Sequence, residues 1–187
     1  MFFDIGAGIL SSIFIGFLFK LSLTAPFLIG GIVFALLPDL DFIFNFNKII
    51  GDINAHKHRN LVHYPLLYIP LGMVIISFFS TAWSILFGLC SLIHFIHDSI
   101  GIGWGIQWLY PFSRKHFAFL YLYRPKNKEK MPNKIIYTWK HEDIDALAEK
   151  YGDEEWFKNI YLKWHGYAII ELSIFIFALI ILYLYIR

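Results

Sequence analysis

The stretch GYAIIELSIFIFALIILYLYI, residues 166–186, carries one charged side chain, Glu171, in twenty-one positions. As a helix rising about 1.5 Å per residue, it is long enough to cross a hydrocarbon layer roughly 30 Å thick. Inside that layer every backbone N–H and C=O must be satisfied by the segment itself, and a helix does this. Trp164 and Tyr167 mark one end, Tyr183 and Tyr185 the other. Such amphipathic rings favour the two membrane interfaces.

Four further apolar segments precede it, at about residues 5–19, 26–37, 65–79 and 82–96. The whole chain of 187 residues is 58% hydrophobic and 16% charged, against about 45–50% and about 25% in soluble domains. These features predict an all-α, polytopic helical membrane protein of one domain with about five hydrophobic segments. The second segment is short for a crossing, so it is either re-entrant or thins the bilayer. Residues 1–111 form the four-segment core, 112–164 a basic loop and amphipathic helix, and 165–187 the final membrane helix. Asp4 is the only early charge, so the N-terminus lacks the basic region of a cleaved signal and reads as a retained helix. A net charge of +2 argues against a nucleic-acid partner, and the lone Cys90 cannot form an internal disulfide.

Basic residues set the orientation. Lys48, Lys57 and Arg59 lie between segments two and three, and eleven Lys/Arg lie between Phe112 and Lys163. Placing both stretches in the cytoplasm gives a cytoplasmic N-terminus. In the second stretch, 124–134 is a basic loop. Residues 141–164 read as helix interrupted near Gly152, with Trp156, Phe157, Tyr161 and Trp164 on a membrane-facing side.

Three groups of metal-binding residue types stand where apolar segments meet polar ones: Asp39 and Asp41; His56, His58 and His63; His94, His97 and Asp98. Such side chains are costly at a membrane edge unless something pairs with them. All three groups fall on the cytoplasmic side in this topology. His94 and Asp98, at i and i+4, share a helix face. Carboxylates with imidazoles suit zinc, manganese or iron. His97 is a ligand, a general acid or an orienting group. His116, His141 and His165 read as surface or interface residues, Trp104, Trp108 and Tyr110 as interfacial anchors, and Gly101, Gly103 and Gly105 as a tight turn.

The blocks Pro38-Asp39-Leu40-Asp41, then His58-Arg59-Asn60-Leu61-Val62-His63, then HFIHDSIGIGWGIQWLYPF resemble, in that order, the YdjM-like family of LexA-regulated, membrane-bound proteins assigned as metal-dependent hydrolases. That family shows PDxD, HRGxTHS, and HxxxD followed by Gly and a WP or PF pair. The resemblance covers about residues 35–112. It implies Asp39, Asp41, His58, His63, His94 and Asp98 as metal ligands and Arg59 as the contact to an anionic group. Here Asn60, Val62 and Tyr64 replace the Gly, Thr and Ser of the second block. The family often carries a first-helix histidine, and Asp4-Ile5-Gly6-Ala7-Gly8 contains none.

The expected activity is therefore a metal-dependent hydrolysis, with Zn or alternatively Mn or Fe, in the bacterial inner membrane. A phosphoester or another lipid-linked ester at the cytoplasmic interface is the expected substrate, with His97 and Arg59 as catalytic residues. The rival readings are a non-catalytic protein whose metal ties helices together, and a small ion-transport component. The last would need polar residues deep in the spans, where Glu171 alone stands out.

Overall fold

A computed structural model describes residues 1–40, 62–101, 103–121, 129, 131–153 and 155–187, Tyr121 by its backbone alone. Each of the five apolar segments forms a helix: α1 Phe2–Phe19, α2 Ala25–Leu36, α3 Pro65–Ser77, α4 Thr81–Asp98 and, last in the chain, Gly166–Ile186. Between α4 and that last helix lie the short helices α5 Ile144–Tyr151 and α6 Trp156–Tyr161, which makes Gly166–Ile186 α7. Length and apolarity qualify α1 and α7 as membrane crossings, while α2 and α3 are apolar but shorter. α4 is as long as α1 but ends in His94, His97 and Asp98.

The chain divides into two compact units, and α4 runs unbroken through the division. The first comprises Met1–Pro38, Leu67–His94 and Ile169–Arg187. Its core is Ile15, Phe27, Ala35, Ala82, Leu86 and Cys90. α1 and α2 approach closely because glycines face each other. A Cβ on Gly8 would stand 2.7 Å from the Gly31 carbonyl oxygen, and Ser12 Oγ, beside that contact, donates to Gly8 O at 2.9 Å. Small residues and a hydroxyl at a helix interface are the means by which helices associate in lipid. Trp83 of α4 meets Phe27 and Phe34 edge-on. α2 opens with Thr24 Oγ1 accepting from Phe27 N at 3.4 Å and with Pro26 in its first turn, where a missing N–H is harmless.

The outer faces of these helices are apolar and exposed: Phe14 and Phe17, Ile29 and Val33, Leu71 and Val74, Phe177 and Ile180. Soluble monomers seldom carry such contiguous apolar surface. Lipid solvates it, so this is a membrane protein.

The second unit comprises Asp39–Leu66 and Phe95–Ala168. Here the all-α expectation fails in part, because a three-stranded sheet is present: β1 Ile100–Gly101, β2 His116–Tyr121 and β3 Ile136–Trp139, in the order β1-β2-β3. β1 runs parallel to β2, and β2 antiparallel to β3 with His116 opposite Trp139. Short aromatic and β-branched runs such as HFAFLY and IYTW favour strands once partners cover them. β2 and β3 fall within residues 112–164, read as a basic loop and amphipathic helix, on either side of the loop at 124–134.

The sheet and α5 enclose a core of Trp104, Ala118, Met131, Tyr137, Ile144 and Ala148. Trp139 Nε1 donates to Trp104 O at 2.6 Å. Trp104 is thus a core residue rather than an interfacial anchor, whereas Trp164, 91% exposed, suits the anchor role. Gly101, Gly103 and Gly105 all have positive φ, as a tight turn demands. At Gly105 a Cβ would also run into the Phe117 backbone. Gly152 ends α5 in an extended conformation, at the predicted interruption.

Candidate metal centre

Within the second unit, three of the expected ligands meet. Asp39 closes a short 3-10 turn, Leu37–Asp39, that follows α2. His63 lies just ahead of Pro65, the first residue of α3. Asp98 ends α4. His63 Nε2 stands 3.1 Å from Asp98 Oδ2 and 3.6 Å from Asp39 Oδ1. Its ring is 1% exposed and meets the edge or face of Phe95, itself fully buried. Two carboxylates directed at one imidazole nitrogen in so dry a place call for positive charge, from a proton or a cation.

His94 stands one helical turn before Asp98 on α4, so the helix alone puts both on one side. The candidate ligand atoms of Asp39, His63, His94 and Asp98 all lie within 4.8 Å of one another. Donors around one ion at bonds of about 2.1 Å stand roughly 3–4 Å apart. Small side-chain adjustments bring the group to that spacing. Two imidazoles and two carboxylates are a donor set that fits zinc, manganese or iron.

In the first unit, His94 has a partner that sequence reasoning missed. Asp4 Oδ1 of α1 lies 3.0 Å from His94 Nδ1, and both side chains are 1% exposed. A carboxylate on one imidazole nitrogen fixes the tautomer and directs the other nitrogen, here Nε2, toward a metal. Asp4 Oδ2 also meets the Met1 ammonium at 2.9 Å, which lies 3.6 Å from Glu171 Oε2. Glu171 is buried. No first-helix histidine is present, but a first-helix acid faces the site's own histidine. Its one signal in the sequence was a charge near the start of an apolar helix.

His97, on the same last turns, points elsewhere. Its Nε2 shares a 2.7 Å hydrogen bond with the Tyr167 hydroxyl, and the two rings stack at 5.8 Å. The end of α4 is held in place by Ser99, whose Oγ donates to Phe95 O and accepts from Trp108 Nε1, each at 2.8 Å. Trp108 therefore braces the helix that carries His94 and Asp98. Tyr110 stacks on Tyr64, with ring centroids 4.2 Å apart. Burial, then the neighbouring Tyr110, pushes the Tyr64 hydroxyl above its usual pKa, an effect that Arg114 opposes. Asp41, His56, His58 and Arg59 lie outside the described residues.

The fold and this site define a helical membrane protein with a His/Asp group able to hold a metal ion. Residues 5–187 match the family model of the YdjM inner membrane protein, and the chain belongs to that family. No curated protein and no solved structure matches it.

Proposed function

We propose that the protein is a membrane-embedded metal-dependent hydrolase whose site faces the cytoplasmic headgroup layer. The observation that carries this reading is the convergence of Asp39, His63, His94 and Asp98 within 4.8 Å. The Asp4 contact to His94 Nδ1 supports it. Asp41 and His58 complete the ligand set that the family pattern implies. When bound, zinc or a similar ion lowers the pKa of a water ligand to about 7 and polarises the bond under attack.

The chain's own residues do the rest. Asp4 holds His94 in one tautomer. Phe95 keeps water from the His63 ring. His97, whose Nε2 is hydrogen-bonded to the Tyr167 hydroxyl, is the candidate general acid, its proton reaching the departing group by relay through that hydroxyl. Arg59, in the role the family pattern implies, supplies a guanidinium for the anionic group of the substrate. The substrate class is a phosphoester or another lipid-linked ester, since a site at a helix end beside lipid meets headgroups first. The basic residues between segments two and three and between Phe112 and Lys163 favour a cytoplasmic N-terminus and five crossings, with α2 the shortest.

The test is the metal content of purified protein, and its turnover of an anionic lipid phosphoester, for wild type and for His94→Ala with Asp98→Ala. Wild type carries metal at this centre and turns over; the double variant loses that metal and does not turn over. Equal metal content in both proteins would overturn the reading. Metal without turnover on any ester offered would favour a metal that ties the helices together.

A further inference from the structure

Three nitrogen atoms in the second unit meet in a triangle. Gln107 Nε2 lies 3.0 Å from His116 Nε2 and 3.0 Å from His141 Nδ1, and those two ring nitrogens are 3.0 Å apart. The backbone builds this. The antiparallel bridge between Ile106 and Phe117 sets Gln107 opposite His116. The pairing of His116 with Trp139 brings in His141, two residues beyond the end of β3. The imidazoles stack at 5.3 Å, within 11° of parallel. Gln107 and His116 are 4% and 6% exposed.

No placement of protons satisfies this triangle. Each contact needs a donor facing an acceptor, and each ring nitrogen is one or the other. Three mutually touching atoms cannot alternate between two roles, so one contact always sets like against like. His116 Nδ1 sits 3.3 Å from the Gly105 carbonyl oxygen. An oxygen there can only accept, so Nδ1 carries the ring's proton and Nε2 presents a lone pair. If the Gln107 amide donates to both rings, two lone pairs face each other at 3.0 Å. Gln107 Oε1 is meanwhile buried without a hydrogen-bond partner among the described residues, an arrangement that costs free energy.

We infer that Gln107, His116 and His141 form a second metal site, for a divalent d-block cation of the zinc class. A half-turn of the carboxamide presents Oε1 instead of Nε2, giving three lone pairs with an ion between them. Donors at about 2.1 Å from one ion stand about 3.0–3.4 Å apart, from octahedral to tetrahedral geometry. The triangle already has that edge. The Gly105 carbonyl, accepting from His116 Nδ1, fixes the tautomer that such a ligand needs. Two imidazoles and an amide oxygen favour zinc, nickel or copper over calcium or magnesium. This site shares no residue with the centre formed by Asp39, His63, His94 and Asp98, and stands whether or not that centre is catalytic.

The experiment is zinc titration of full-length protein in detergent, stripped by chelator and dialysed, with Co²⁺ as a spectroscopic probe. The variants are His141→Ala and Gln107→Leu, each made in wild type and in an Asp98→Ala background. His141, half-buried in a short turn, is the substitution best placed to leave the fold intact. The expected result is one zinc equivalent fewer per chain, or an affinity at least a hundredfold weaker, in both backgrounds. The Co²⁺ band of nitrogen-ligated metal should fall with it. Should His141→Ala fail to fold, Gln107→Leu gives the same readout. Zinc stoichiometry and affinity equal to those of the parent protein would overturn the inference.

Discussion

Asp4 Oδ1 and His94 Nδ1 meet at 3.0 Å although ninety residues separate them in sequence. Both are sealed from solvent, so the contact is strong and its loss is felt. Replacing Asp4 with Asn keeps the shape and removes the charge. Metal affinity at the centre should fall about 10–100-fold, the usual cost of losing a carboxylate behind a ligating histidine. Competition titration against a chelator of known affinity reads this directly, and an unchanged affinity would show that Asp4 serves packing alone.

A metal held by Asp39, His63, His94 and Asp98 stabilises the folded state it binds. At a free concentration a hundred times the dissociation constant, the gain is about 2.7 kcal/mol. Thermal unfolding in detergent should therefore shift upward with zinc in wild type. In Asp98→Asn the shift should shrink. An equal shift in both proteins would place the stabilising metal elsewhere.

His97 contacts Tyr167 and lies outside the four-residue group. His97→Gln should leave metal content at the centre intact while lowering kcat by about 10²–10⁴, the range of general acid–base catalysis. Tyr167→Phe, which removes only the hydroxyl, should have a smaller effect and alter the pH profile. Metal loss in His97→Gln would instead mark His97 as a ligand.

The close approach of α1 and α2 gives a packing test. In Gly31→Ala the new methyl would stand 2.7 Å from the Gly8 carbonyl oxygen and press on Ser12. Overpacking of this kind costs about 1–3 kcal/mol. Reversible unfolding should show that loss, and Gly166→Ala, whose Cβ meets nothing within 4 Å, should not.

The apolar segments were legible because a membrane demands long uniform runs. The last helix begins at Gly166 and ends at Ile186, as read, and α3 begins at Pro65, where proline fits a first turn. His63, His94 and Asp98 were legible through their position at segment ends. Asp4 was not, because its partner comes from another helix and no local spacing relates them. The sheet was hidden for a related reason. β1 is two residues long, and β2 and β3 are held by their partners and by the core that their Ala118 and Tyr137 share with Trp104, Met131, Ile144 and Ala148. His116 was misread as a surface or interface group because its burial depends on that sheet.

The helix α4 supplies both His94 and Asp98, with three residues between them. A single residue inserted there would turn Asp98 about 100° around the axis and advance it about 1.5 Å, off the face it shares with His94. That short interval therefore tolerates neither insertion nor deletion, even where every side chain is kept. Asp4 and His94 come from separate helices, so lengthening a loop between α1 and α4 leaves the phase of each helix unchanged. Among homologues, gaps should collect in the connections and be absent from His94 to Asp98.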